Sequence, residues 1–319
     1  MMEIKIKETG FLAVFAELIG GVVENGILKI PQDKGKGYLR GFRLDNTIGM
    51  IVSNYEFNDN LLARRFGNQN SLKRILFQFN NIFPDHESKN YYSVNNLPSI
   101  QVFKGQLSSE TFYPGQTKFK SIAIGIDSIK LKELLGSNQD NQIFKNIVEN
   151  EHPVIFEEII SPKIQAIALE IIESDIPDSL TDFYFKIKAE ELICLTLKEL
   201  CKRENATIQT INEIDAQKIY RIRDKILAEI DNPPVLKELS QLIGMSESKF
   251  KRLFKQIFGV SFFYYYQVFR MKKAAKLLKE NKYTVSEVGY KLGFSNLSHF
   301  AKVFQQHTGI KPKSFQKNN

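Results

Sequence analysis

The chain has 319 residues, of which 43% are hydrophobic and 25% charged. This mixture is typical of soluble globular proteins, and the length predicts two domains. No apolar run approaches the roughly 20 residues of a membrane helix, and the charged start is unlike a signal peptide, so we expect a cytoplasmic protein without a membrane segment.

The net charge of +8 is unevenly distributed along the chain. From Glu213 to the end, 20 Lys and Arg stand against 9 Asp and Glu, a balance of +11, whereas the preceding residues carry 24 against 27, a balance of −3. A basic C-terminal third on a nearly neutral body favours nucleic-acid binding by that third.

The first part of the chain is predicted to consist of short strands. Four segments alternate apolar and polar residues and are rich in β-branched or aromatic side chains: 48–52, 75–79, 100–102 and 119–126. Short strands must close or stack to hide their edges, so we expect a small β-barrel or sandwich of the cupin-like kind, with strands to about residue 126.

From Asp127 the apolar period becomes that of helices, most clearly in 164–172 and 183–200. The second of these helices carries a wide apolar stripe, which fits packing inside the domain as well as dimerisation. The polar segment 202–210 is the best candidate linker. The sequence therefore predicts an α+β protein with one domain at 1–205 and an all-α domain at 213–319.

The C-terminal domain contains two related segments, in which Phe254 and Phe304 are 50 positions apart, as are Gly259 and Gly309. Each segment fits a helix, a tight turn and a second helix. Gly244 and Gly293 provide the permissive backbone at the end of each first helix. Ser246 and Ser295 are expected to cap the second helices, and Thr284 to Glu287 form a capping box.

A helix over 262–280, without Pro or Gly, is predicted to join the two helix-turn-helix motifs. Nineteen helical residues span about 28 Å. That length would place two recognition helices roughly one turn of B-DNA apart, in two adjacent major-groove segments of duplex DNA.

The outward face of each second helix carries short polar and long basic side chains, which suit contacts with base edges and phosphates. The first helix presents Ser248, Lys251, Arg252 and Lys255. The second presents Ser298 and Lys302, flanked by Leu297 and His299. Any solvated helix carries such residues, but two such faces on a duplicated scaffold in the basic region favour DNA contact.

These segments resemble the AraC/XylS family of bacterial transcription regulators over about 220–316. The resemblance rests on Gly244-Met-Ser-x3-Phe250-x-Arg252-x-Phe254, on Tyr265-Tyr266-x3-Arg270-Met271, and on Leu292-Gly-Phe-Ser295-x4-Phe300-x3-Phe304-x4-Gly309-x2-Pro312. It implies that DNA is contacted by Ser248, Lys251 and Arg252 of the first recognition helix and by Leu297, Ser298, His299 and Lys302 of the second. The chain departs from many members at Val235, where they have a capping Ser or Thr, and at Gln316, where they have Arg.

The strands and helices of the front domain resemble the effector-binding and dimerisation domain of the same family. The segments 36–44 and 112–115 resemble its siderophore-responsive members. The resemblance implies an activator that responds to a small organic effector, contacts RNA polymerase and forms a homodimer. The effector-binding residues stay unassigned. Arg40, Arg43, Arg64, Arg65, Tyr91 and Tyr92 could meet an acidic or aromatic effector, or have only surface and packing roles.

The sequence shows no nucleophile motif, phosphate loop or paired metal ligands, so we predict no catalytic residue, metal or cofactor. Cys194 and Cys201 would lie about 10 Å apart on one helix, too far for a disulfide, and are expected in the core. Two alternatives remain: a DNA-binding domain fused to a repair-type enzyme, which needs an exposed reactive cysteine in a basic setting, and a ligand-independent DNA binder.

Overall fold

The computed structural model describes residues 11–65, 73–82, 98–104, 109–113, 115–136, 141–150, 153–203 and 211–317. The chain divides into two compact units, of which the first ends at Ala216 and the second begins at Gln217. Residues 204–210 of the predicted linker lie outside the described residues. In the described part, no helix is long and apolar enough to cross a membrane.

The first unit is built on an antiparallel sheet. Its strands are β1 (Val23–Glu24), β2 (Ile27–Lys29), β3 (Gly35–Arg43), β4 (Ile48–Phe57), β5 (Leu61–Arg65), β6 (Arg74–Asn80), β7 (Ser99–Lys104), β8 (Ser109–Tyr113), β9 (Lys118–Asp127) and β10 (Val154–Ile159). Eight of them pair in the order β1-β2-β3-β4-β9-β6-β7-β10, and β5 pairs with β8 as a separate ribbon. The mixed helix and sheet class is confirmed, whereas cupin-like closure stays a prediction.

The prediction that strands end near residue 126 is wrong. β10 follows two helices and pairs with β7, placing Phe156 opposite Val102. Val154, Ile155 and Phe156 are all buried. This strand therefore lacks the alternation of apolar and polar residues that indicates a strand with one solvent-exposed face. A helix that the sequence analysis did not predict, α1 (Phe11–Ile19), precedes the strands.

One face of the sheet carries the main hydrophobic core. A row of buried side chains crosses six strands in register: Phe42, Met50, Ile124, Phe77, Val102 and Phe156. Four helices contribute to this core: α2 (Ser128–Leu135), α3 (Gln142–Val148), α4 (Pro162–Ile172) and α5 (Thr181–Cys201). On the other face, α1 packs against Leu39, Tyr55, Phe57 and Phe119.

The expectation that both cysteines lie in the core is wrong for Cys194, which is exposed, while Cys201 is half-buried. Ile193, Leu197 and Leu200 occupy the inward side of α5. Cys194 is rotated 100° around the helix from Ile193 and therefore faces away from the sheet.

The second unit is helical. It contains most of α6 (Glu213–Ala228), followed by α7 (Leu236–Leu242), α8 (Glu247–Phe258), α9 (Phe262–Lys279), α10 (Val285–Lys291), α11 (Leu297–Thr308) and α12 (Pro312–Lys317). The fully buried rings of Phe250 and Phe254 pack against Phe262 of α9. In the second half, Phe300 and Phe304 pack with Met271 and Leu278 of the same helix. Each half is thus anchored to α9 by an aromatic core.

Candidate nucleic-acid interface

The first helix-turn-helix is α7 and α8. Gly244 follows α7 in the left-handed conformation, with φ of 61°, and its amide donates to the carbonyl of Gln241 at 3.0 Å. Ser246 caps α8 as predicted, because its Oγ accepts from the amide of Lys249 at 3.3 Å. Val235, by contrast, gives α7 no side-chain cap. The sharp turn leaves the first turn of α8 open to solvent.

The second motif, α10 and α11, repeats this turn. Gly293 has φ of 76°, and its amide donates to the carbonyl of Tyr290 at 2.9 Å. The predicted capping box is present, since Thr284 Oγ1 accepts from the amide of Glu287 and the Glu287 carboxylate accepts from the amide of Thr284. Hydrogen bonding to Thr284 lowers the pKa of Glu287.

The prediction that Ser295 caps α11 is wrong. The cap is Asn296, whose Oδ1 accepts from the amides of Ser298 and His299 at 2.9 and 3.1 Å. The helix therefore begins at Leu297, one residue later than a cap at Ser295 would give. Asn296 lies 50 positions after Ser246, the same separation as between Phe254 and Phe304.

The predicted DNA-contacting face of α8 lies in solvent, since Ser248, Lys251, Arg252 and Lys255 are all exposed. Lys251 lies 3.8 Å from Glu247 on the same helix. In the part of the chain that the structure describes, no hydrogen bond or ion pair engages the side chain of Arg252 or of Lys255. Two long cations on one face are thus available to an anionic partner.

The corresponding face of α11 exposes Ser298, His299 and Lys302. Lys302 likewise has no ion-pair partner among the described residues. Leu297 is half-buried, because its Cδ2 fills the space beside Gly289, 2.7 Å from where a β-carbon of that glycine would stand. The structure thus brings together three of these four residues on the solvent face and turns Leu297 toward α10.

His307 and Gln316 lie away from this face. His307 is half-buried with its ring 5.7 Å from that of Tyr264, and burial lowers its pKa. Gln316 donates from Nε2 to the carbonyl of Tyr283 at 2.8 Å. This bond ties α12 to the segment before α10.

Of the candidate effector residues in the first unit, the structure describes the side chains of Arg40 and Arg43. The Arg40 guanidinium lies over the ring of Phe42, 4.8 Å from its centroid, and Arg43 donates to Asn46 Oδ1 at 3.2 Å. Arg64 and Arg65 lie on β5, without described side chains. Tyr91 and Tyr92 lie outside the described residues.

A half-buried polar row crosses the sheet on the face opposite the main core, and the sequence analysis did not single it out. Gln78 donates to Asn80 at 3.0 Å, Asn80 to Gln101 at 3.4 Å, and Gln101 to the Glu157 carboxylate at 3.0 Å. Glu157 is only 4% exposed. The signal in the sequence was the alternation of these polar residues with Phe77, Phe79 and Val102.

The described residues contain no group of three or more His, Cys, Asp or Glu that could hold a metal ion. His86 and His152 lie outside them. Burial raises the pKa of the Cys201 thiol, which opposes formation of the nucleophilic thiolate.

Comparisons with known proteins point to the same domain. A family model described as a helix-turn-helix domain matches residues 239–318. An uncharacterized HTH-type transcriptional regulator of Haemophilus influenzae is 24% identical over 239 residues, covering 72% of this chain and 74% of that protein. The regulatory protein PchR of Pseudomonas aeruginosa is 29% identical over 123 residues, covering 38% of this chain and 42% of PchR.

Among solved structures, an AraC-type transcriptional regulator from Chromobacterium violaceum is 26% identical, with a TM-score of 0.31, covering 34% of this chain and 96% of that one. The repeated motif and the family match define a transcriptional regulator with a helix-turn-helix DNA-binding domain. Residues 239–318 therefore form a helix-turn-helix domain of the AraC type.

Proposed function

We propose that this regulator binds duplex DNA sequence-specifically by placing α8 and α11 in two adjacent major-groove segments. The observation that carries the proposal is the pair of solvent-facing polar and basic faces, each on the second helix of a motif with the same turn. Such faces supply hydrogen bonds to base edges and neutralise phosphates. The reader domain is assigned to 213–319.

The eight residues have different roles in this proposal. Arg252 is the candidate base reader, since a guanidinium matches guanine O6 and N7. Ser248, Ser298 and His299 have short polar side chains that contact base edges at the floor of the groove. Lys251, Lys255 and Lys302 bind phosphates. Leu297, half-buried beside Gly289, supports α11 from the side of α10.

The test is a footprint of the full chain on an operator. Duplexes that bind the full chain are selected from a random library, and the best is footprinted with hydroxyl radicals. We expect two protected segments about 10 base pairs apart on one face of the duplex. Protection of a single groove segment would show that α11, or α8, is not a reader.

The domain at 1–205 is proposed to bind a small organic effector. The support is the polar row Gln78, Asn80, Gln101 and Glu157, because convergent polar groups on a partly buried, otherwise apolar face suit a ligand with hydrogen-bonding groups. An effector can change how α8 and α11 are presented to DNA only if it binds one conformation of the regulator more tightly than another.

We further propose that the regulator is an activator that contacts RNA polymerase and acts as a homodimer. The support for the homodimer is an exposed apolar strip at the start of α5, where Leu180, Phe183 and Ile187 are 52%, 67% and 48% exposed. Side chains of this size on one helix side favour association with another protein surface.

A further inference from the structure

One side of α9 holds both helix-turn-helix motifs at once. Tyr266, Arg270 and Lys273 are four and three residues apart, a spacing that places them on the same side of a helix. Tyr266 donates to the carbonyl of Ile230 at 2.8 Å, and Lys273 pairs with the Asp231 carboxylate at 2.6 Å. Both acceptors belong to the segment that leads into α7, the first helix of the first motif.

Arg270, between these two residues, reaches the second motif instead. Its Nε donates to the carbonyl of Leu292 at 2.7 Å, and its guanidinium carbon lies 3.6 Å from the centroid of the Phe294 ring. Arg270 is 6% exposed, and desolvation by this burial lowers its pKa. The turn of the second motif is therefore fixed to the same side of α9 as the entry to the first.

The segment that leads into the first motif also contacts the second motif directly, at Gly293. A β-carbon on Gly293 would overlap the backbone carbonyl of Asp231 and lie 3.2 Å from Cδ of Pro233. Gly244 occupies the same position in the first motif and has the same left-handed conformation. A β-carbon there would meet only the flexible end of Lys218, at 4.0 Å.

The comparison of the two turns distinguishes two reasons for a glycine at this position: the backbone conformation and the space for a neighbouring backbone. Both glycines satisfy the backbone conformation that ends the first helix of each motif. Only Gly293 also permits close approach of the backbone at Asp231, in the segment before the first motif. The contact of Gly293 with Asp231, together with Tyr266, Arg270 and Lys273, is named here the spacing joint.

We propose that the spacing joint fixes the separation and rotation of α8 relative to α11 and thereby selects operators by the distance between their two half-sites. The inference rests on the proposed two-segment binding. One inserted base pair moves a half-site by about 3.4 Å along the duplex and about 35° around it. A rigid joint cannot follow that change, so one recognition helix loses its register.

The experiment uses the full chain and a set of duplexes that carry the two selected half-sites at the preferred spacing and at one or two base pairs more or fewer. The wild-type chain is expected to bind the preferred spacing about tenfold more tightly than its neighbours, the order of loss that one mismatched base pair causes. Gly293→Ala is expected to shift the preferred spacing or to reduce the discrimination to below about threefold.

Gly244→Ala is the matched control, because it imposes the same backbone strain at the same turn without the overlap. We expect it to keep the wild-type spacing profile. A second variant, Tyr266→Phe with Lys273→Met, releases the segment before α7 from α9 without altering either recognition helix or an aromatic core. It is expected to flatten the profile, and it decides the matter alone if Gly293→Ala does not fold, as judged by circular dichroism.

A wild-type profile in both Gly293→Ala and the double variant would overturn the spacing joint while leaving two-segment binding intact. Equal wild-type affinity at every spacing would do the same. A wild-type footprint on one segment only would overturn the proposed function and the inference with it.

Discussion

Asp45 and Lys186 form an ion pair of 2.7 Å that ties the turn between β3 and β4 to helix α5. The same carboxylate accepts from the amides of Thr47 and Ile48 at 2.7 and 2.8 Å. One aspartate thus shapes the turn and fastens the helix that covers the main core of the first unit.

We predict that Asp45→Asn lowers the stability of the first unit by about 1 kcal/mol at neutral pH, the usual scale for one side-chain cap. Desolvation raises the pKa of Asp45, but the hydrogen bonds from Lys186, Thr47 and the backbone together outweigh it, so the pKa lies below its usual 3.8. A lowered pKa means that this stabilisation is present above 3.8 and is lost as the pH falls below it.

Urea unfolding of the full chain between pH 3 and 7 measures this effect. The difference between wild type and Asp45→Asn should shrink toward the acid end. The control is Asp33→Asn, at a side chain that is 71% exposed. A difference that stays constant with pH would refute the assignment.

Asn296→Ala is predicted to destabilise the second unit by about 1 kcal/mol, because two amides at the start of α11 lose their acceptor. Ser295→Ala should change stability by less than about half of that amount. Thermal unfolding of the two variants compares them directly. Equal losses, or a larger loss at Ser295, would contradict the cap seen in the structure.

Arg252→Ala is predicted to weaken operator binding by about 1–3 kcal/mol and to relax base preference at one position, if Arg252 reads a guanine. The matched control is Arg221→Ala, which removes the same charge from an exposed position on α6. Affinities for the operator and for random duplex are measured over a salt series. Equal losses on both DNAs, with a log–log salt slope lower by about one, would make Arg252 a phosphate contact.

Effector and operator are predicted to change each other's affinity by the same factor, because binding linkage is reciprocal. Small molecules that raise the melting temperature of the full chain are tested for their effect on operator affinity. Gln78→Ala should abolish the melting shift, and Asn46→Ala, at an exposed turn residue, should preserve it. If such molecules leave operator affinity unchanged, the front domain does not sense ligands for the reader, and the ligand-independent alternative gains support.

The sequence by itself determined the features that depend on near neighbours. The left-handed glycines, the Ser246 cap, the Thr284–Glu287 capping box and the solvent face of α8 all follow from residues within about one helical turn of one another. The four alternating segments lie in strands of the sheet for the same reason, since alternation of apolar and polar residues with a period of two shows which side of a strand faces solvent.

Only the tertiary structure decided the features that join distant parts of the chain. β10 pairs with β7 across 50 residues, and its burial on both faces removes the pattern that would have revealed it. The sequence shows two equivalent turn glycines, but the approach of Asp231 to Gly293, 62 residues away, makes the second one different. Local periodicity carries no information about such contacts, because they depend on where the folded helices place their backbones in space.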